Sequence, residues 1–152
     1  MRYEYRDWVE TEVVVVGDGD VRFSAAFAQF EQPVRIADCT IVQLDLYATY
    51  FLAGLKIENC RVLCDIVWQS GGHNKRPIRV VDSDFVGFVD VEVCFFQAEV
   101  ILCNVKFHGG TNLLGNVGTP VEVSFEQPLH CESVEGPLDT QTYTAGPTDP
   151  AF

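Results

Sequence analysis

The chain is short of basic residues: 10 Lys and Arg stand against 22 Asp and Glu, a formal net charge of −12 over 152 residues. Phosphates and anionic bilayers need Lys and Arg as counter-charge, so neither nucleic acid nor membrane is expected as a direct partner. No apolar run approaches the roughly 18 residues of a membrane span. The start, Met1-Arg2-Tyr3-Glu4-Tyr5-Arg6-Asp7-Trp8, has no apolar signal region, and a cytoplasmic location is expected. No Gly-rich phosphate loop precedes a helix, no nucleophile motif appears, and no helical hydrophobic period is present. Together these absences remove the commonest enzyme signatures and leave a single acidic domain.

What is present can bury a core. Hydrophobic residues make up 47% of the chain, and 11 of its residues are Phe. The six cysteines are Cys39, Cys60, Cys64, Cys94, Cys103 and Cys131. With no export signal and an ample core, reduced thiols are expected rather than disulfides. Ser83 and Val105 replace Cys39 and Cys60 at the same phase of a repeat, so cysteine there acts as a small core filler.

That repeat organises the chain. Val13-Val14-Val15, Val34-Arg35-Ile36, Leu55-Lys56-Ile57, Ile78-Arg79-Val80, Val100-Ile101-Leu102 and Val121-Glu122-Val123 start 21, 21, 23, 22 and 21 residues apart. A near-constant period of this size means stacked coils. Within each coil, apolar residues two apart lie on one strand face, and a three-residue step then marks a corner. Asp38, Asn59, Asp82 and Asn104 stand at that corner. Their side chains bond nearby backbone and tolerate bent conformations, so a structural ladder is expected there. Pro33, Pro77 and Pro120 each precede a strand start, and Phe30, Phe51 and Phe96 recur four residues before the next start as an interior stack. The predicted fold is all-β: a right-handed parallel β-helix of about six coils of 21–23 residues. Residues 1–12 are expected to cap one end, 13–126 to form the helix, and 127–152 to supply a C-terminal cap and extended tail.

At the corners the segments read Ala37-Asp38-Cys39-Thr40-Ile41, Glu58-Asn59-Cys60-Arg61-Val62, Val81-Asp82-Ser83-Asp84-Phe85 and Cys103-Asn104-Val105-Lys106-Phe107. They resemble pentapeptide-repeat proteins, in which a small and a large apolar residue, two apart, point inward. Coils here are longer than that family's, and the pattern looks equally like the looser repeats of pectate-lyase-like β-helices. The first resemblance implies a non-enzymatic binder: a DNA-imitating rod that binds topoisomerases, or an immunity protein that blocks a toxin. The second implies a carbohydrate enzyme with clustered carboxylates.

Candidate sites follow from the outward positions. Arg35, Lys56 and Arg79 occupy the second position of successive first strands, a cationic stripe that either docks a partner's acids or pairs with neighbours such as Glu58 and Asp84. Asp45, Asp65, Asp84, Asp90 and Glu92 suggest a negative surface able to steer a basic partner. Trp68, with Tyr47, Tyr50 and Phe95, suggests aromatic hot spots. The loop Ser70-Gly71-Gly72-His73-Asn74-Lys75-Arg76 is expected to bulge outward and carry contacts. His73 and His108 form the best available catalytic or metal pair, without a further ligand at suitable spacing. Gly17-Asp18-Gly19-Asp20 lacks the remaining ligands of a calcium loop. No metal or cofactor is expected. The expected function is binding without catalysis: an acidic immunity protein that occludes a basic toxin or a nucleic-acid-binding enzyme. A homodimer is compatible with this fold.

Overall fold

The computed structural model describes residues 1–17, 19–115 and 122–140. Asp18 of the candidate calcium motif, Pro120, Val121 and residues 141–152 of the tail fall outside them. Among the described residues there is no helix, and none therefore is long and apolar enough to cross a membrane. Stacked parallel strands form a β-solenoid of about five turns.

In chain order, β1 (Arg2–Glu4) and β2 (Asp7–Val9) come first. The first coil is β3 (Val13–Val16), β4 (Asp20–Ser24) and β5 (Ala28–Phe30), and the second is β6 (Val34–Ala37), β7 (Thr40–Asp45) and β8 (Tyr50–Phe51). The third holds β9 (Leu55–Glu58), β10 (Arg61–Val62) and β11 (Ile66–Val67). The fourth holds β12 (Ile78–Phe85), β13 (Val89–Asp90) and β14 (Phe95–Phe96). β15 (Val100–Phe107) and β16 (Ser124–Phe125) make the fifth, and β17 (His130–Glu135) follows.

Each coil has three sides. The first stacks β3, β6, β9 and the front of β12 and β15 in unbroken register: Val13, Val34 and Leu55 align, then Leu55, Ile78 and Val100. Alternation sends Val15, Ile36, Ile57, Val80 and Leu102 inward with them, and all are buried. The second side runs through β1, β4, β7, β10 with β11, and the rear of β12 and β15. The third stacks β2, β5 and β8, and bridges through Gly72 to β14 and then β16. Residues 2–9 thus lie on coil one as a partial coil, with Tyr5 against Phe23 and Phe30.

Glu122 and Val123 of the sixth valine motif, the two of its residues that are described, lie in no strand. Ile101 pairs with His130, further along the chain than the coil period predicts, so β17 takes the first-side place expected for the motif. Val123 is instead buried ahead of β16 on the third side. Both segments carry the apolar alternation of a first strand, and stacking on β15 rather than local pattern selects the later one. The outward column therefore ends Arg79, Ile101, His130, not on Glu122.

The interior aromatic stack forms as expected, with one substitution. Phe30 and Phe51 lie face to face at 5.2 Å, and Phe96 meets Phe125 at 5.3 Å. Between them coil three supplies Trp68, edge-on to Phe51 at 5.5 Å and to Phe96 at 5.4 Å. The 70–76 loop does not bulge outward. Gly71, Gly72 and Asn74 are buried, and a side chain at Gly71 would fall 2.3 Å from the Trp68 indole nitrogen. Fully buried Asn74 donates to Arg76 O (2.9 Å) and Ala98 O (3.3 Å) and accepts from Gln97 N (3.2 Å), which satisfies the corner backbone.

Candidate functional site

Among the described residues, two corners of successive coils share one backbone turn. At the first, Asp38, Asn59, Asp82, Asn104 and Ser133 are left-handed, with φ of 57°, 52°, 51°, 54° and 55°. At the second, Phe27, Ala48, Ser70 and Val93 take the same conformation, with φ of 65°, 51°, 56° and 62°. In both, the left-handed N–H donates to the carbonyl preceding its counterpart one coil on. Asp38 reaches Glu58 O (3.1 Å) and Asn59 reaches Val81 O (3.0 Å); Phe27 reaches Tyr47 O (2.9 Å) and Ala48 reaches Gln69 O (2.7 Å).

Side-chain chemistry separates the corners. The first is the expected ladder, yet its amides bond carboxylates rather than backbone: Asn59 Nδ2 donates to Asp38 Oδ1 at 2.9 Å, and Asn104 Nδ2 to Asp82 Oδ1 at 2.8 Å. Just inside it, Cys39 Sγ donates to Ala37 O (3.0 Å), Cys60 Sγ to Glu58 O (3.3 Å) and Ser83 Oγ to Val81 O (2.9 Å). These small residues therefore satisfy the turn as well as filling the core, a second role beyond the one their size suggests. Burial pushes the Cys60 thiol up to about 11 and raises that of Cys39; Cys94, deeper still, is raised by the same desolvation. All six thiols are free, and thiols raised as those of Cys39, Cys60 and Cys94 are make poor nucleophiles.

The second corner instead displays apolar residues. Phe27 is 52% and Val93 47% exposed, with Tyr47 and Val67 also exposed between them. Phe27 packs edge-on against Tyr47 at 5.4 Å. Asp45 and Asp65 flank this ridge; Asp45 accepts from Tyr47 N (3.2 Å) and Asp65 from Phe88 N (2.8 Å). Neither forms an ion pair among the described residues. Coil spacing places Phe27 and Val93 about 14 Å apart along the ridge, three steps of the sheet repeat.

Other expected site residues are distributed differently. Trp68 is only 7% exposed, and its Nε1 donates to Thr49 O at 3.1 Å. It belongs to the core, not to a docking surface. Asp90, 4% exposed, and Glu92 are also buried. Gln69 Nε2 bridges Asp90 Oδ2 (2.7 Å) and Glu92 Oε1 (3.1 Å), while Asn112 Nδ2 donates to Asp90 Oδ1 (2.9 Å). Thr111 bridges to Val89, so coil five lies against this cluster and takes it out of the acidic surface.

The cationic stripe is partly neutralised by Glu58, one of the two arrangements its sequence allows. Arg35 Nε donates to Glu58 Oε1 at 2.7 Å, and Lys56 Nζ lies 3.3 Å from Oε2. The Arg35 hydrogen bond, helped by Lys56, lowers the Glu58 pKa. Arg79 is exposed and makes no ion pair among the described residues. On the second side Thr40, Arg61, Asp84, Lys106 and Glu135 stand in register, so charge alternates up the column. Lys106 and Glu135 approach to 3.9 Å.

The histidines do not converge. His73, half-buried on the third side, lies between Tyr50 (4.3 Å between rings) and Phe95 (5.5 Å). His108 follows β15 on the second side, 3.9 Å from Asp84. His130 pairs with Glu99 at 2.9 Å on the first side. Among the described residues no three His, Cys, Asp or Glu side chains gather as a metal site would require. Of the ridge at the second corner, sequence reasoning named Tyr47, Asp45 and Asp65 and missed Phe27, Val67 and Val93. Its only signal is a hydrophobic or small residue recurring at 27, 48, 70 and 93, at the coil period. Compared with known proteins, the chain matches no family model, no curated protein and no solved structure.

Proposed function

We propose that the protein is a non-enzymatic, acidic β-solenoid that binds a basic protein partner at its second corner, and most specifically an immunity protein that occludes a cytoplasmic toxin. The observation that carries this reading is the apolar ridge of Phe27, Tyr47, Val67 and Val93 beside Asp45 and Asp65. Two large apolar side chains are held there in a conformation that disfavours them and are pointed at solvent. Retained strain with outward display marks a contact surface. Aromatic and aliphatic anchors supply affinity, and carboxylates that form no ion pair among the described residues steer a basic surface toward them.

Imitation of DNA, the second reading suggested by the pentapeptide-like corners, asks for an unbroken acidic flank. The alternating column Arg61, Asp84, Lys106, Glu135 favours occlusion instead. Separation of His73 from His108 leaves the carbohydrate-enzyme reading without its histidine pair.

The test is capture from the native cell with wild type and with a Phe27→Ser/Tyr47→Ser double variant. Support requires a basic protein held by the wild type alone, released by salt, which arrests growth when expressed by itself and is relieved by co-expression of this chain. Equal recovery by both proteins, or a captured protein without a growth phenotype, would refute the reading.

A further inference from the structure

Protein interiors are close-packed, and one stretch of this one is not. In coils one and two the centre is occupied by Phe23, Phe30 and Phe51, all fully buried. From coil three the step lengthens: Leu55 to Ile78 and Ile78 to Val100 each span more chain than Val34 to Leu55. The longer coils bring large rings to the second and third sides, where Phe85 stacks on Phe107 at 5.2 Å and Trp68 stands edge-on to Phe96. The first side keeps aliphatic side chains of the same size as before. A cavity of about 60 Å³ remains between them, walled by Ile57, Ile78, Val80 and Val100 on one side and by Trp68 and Phe85 on the others.

We infer that this cavity is a binding site for a small apolar molecule, of the size class of xenon or a light hydrocarbon. Size alone would admit water, since about 10–15 Å³ suffices for one molecule. Chemistry argues against water, because a buried water needs two to four polar partners. Thr111 brings a hydroxyl to the wall, but it already donates to Val89 O at 2.8 Å. An apolar guest has no hydrogen bonds to lose and regains the dispersion contacts that the lining lacks. Benzene-sized guests occupy apolar cavities of roughly 150 Å³, so the class here is smaller. This site is interior and does not depend on the docking ridge.

The experiment is xenon titration under pressure, read by methyl chemical shifts and by melting temperature on the full chain. Saturable shifts are expected at Ile57, Ile78, Val80 and Val100, with Val13 and Val34 in the earlier coils unmoved. The melting temperature should rise with xenon pressure, as it does for any ligand that binds only the folded state. Val100→Ile and, separately, Val80→Ile extend a side chain into the space and should each remove the saturable response. Two filling variants guard against one that repacks badly. Shifts spread evenly over all coils, no saturable response in the wild type, or a response undiminished in a folded filling variant would overturn the site. So would cross-relaxation from water to the Ile78 and Val100 methyls.

Discussion

The first and second corners run the same turn, and their side chains make opposite choices. Asp38, Asn59, Asp82 and Asn104 are types that enter the left-handed region at little cost, because their short polar groups bond locally. Phe27, Ala48 and Val93 have no such compensation, and a β-branched residue at φ of 62° is a true outlier. The difference separates a joint from a display. Where a corner only has to hold coils together, residue type follows backbone demand; at the second corner, on the proposed binding reading, residue type is set by what the surface must present.

Placing second-corner chemistry at the first corner should break this contrast most sharply. Asp82→Val puts a β-branched residue at φ 51° and removes the acceptor of Asn104. It should cost about 2–3 kcal/mol in denaturant unfolding. Asp82→Asn, which keeps both the conformational tolerance and an acceptor oxygen, should lie near wild type. Equal losses in the two variants would show that the ladder contributes nothing.

Just inside the same corner, Cys60 sharpens the contrast through pH. The folded chain holds this thiol up to about 11, above the ordinary value of 9.0. Between those values the folded state keeps a proton that the unfolded chain releases, so stability falls as pH rises. Below 9.0 the contribution is fully present. Cys39 and Cys94 act in the same direction. Thermal unfolding from pH 8 to 11 should therefore fall steeply, and less steeply in Cys60→Ala.

Relief of strain at the second corner gives smaller effects. Val93→Gly should stabilise the fold by about 0.5–1 kcal/mol, the left-handed penalty of about 1–2 less glycine's chain-entropy cost. Partner capture should weaken at the same time, and that opposition is the signature of a display residue. Phe27→Asn should change stability by about zero, because relief of strain offsets the lost ring contact with Tyr47. A large loss at either site would show that these side chains hold the corner together rather than face outward.

Legibility in the sequence follows the range of the interactions. Val34, Leu55 and Ile78 can be aligned because inward alternation repeats within each coil and burial enforces it. Trp68 reads as a surface aromatic because it fills the third-side stack from outside the expected phase, ahead of buried Gly71 and Gly72. Asp90 and Glu92 look like surface acids, since nothing nearby in the chain covers them. Thr111 and Asn112, one coil later, do so across the stack.

The sequence by itself determined the architecture: the coil period, the inward valines and leucines, the Asp/Asn corner, and Pro33 and Pro77, which mark the starts of β6 and β12. Each rests on the local match of residue type to backbone conformation or on periodic burial, and both are written in the order of residues. Tertiary structure decided which segment stacks on β15, which acids are buried, that Glu58 neutralises Arg35 and Lys56, and that Phe27 and Val93 sit in a left-handed turn. Those outcomes depend on neighbours one coil away, at about 4.8 Å in space but a whole period apart along the chain.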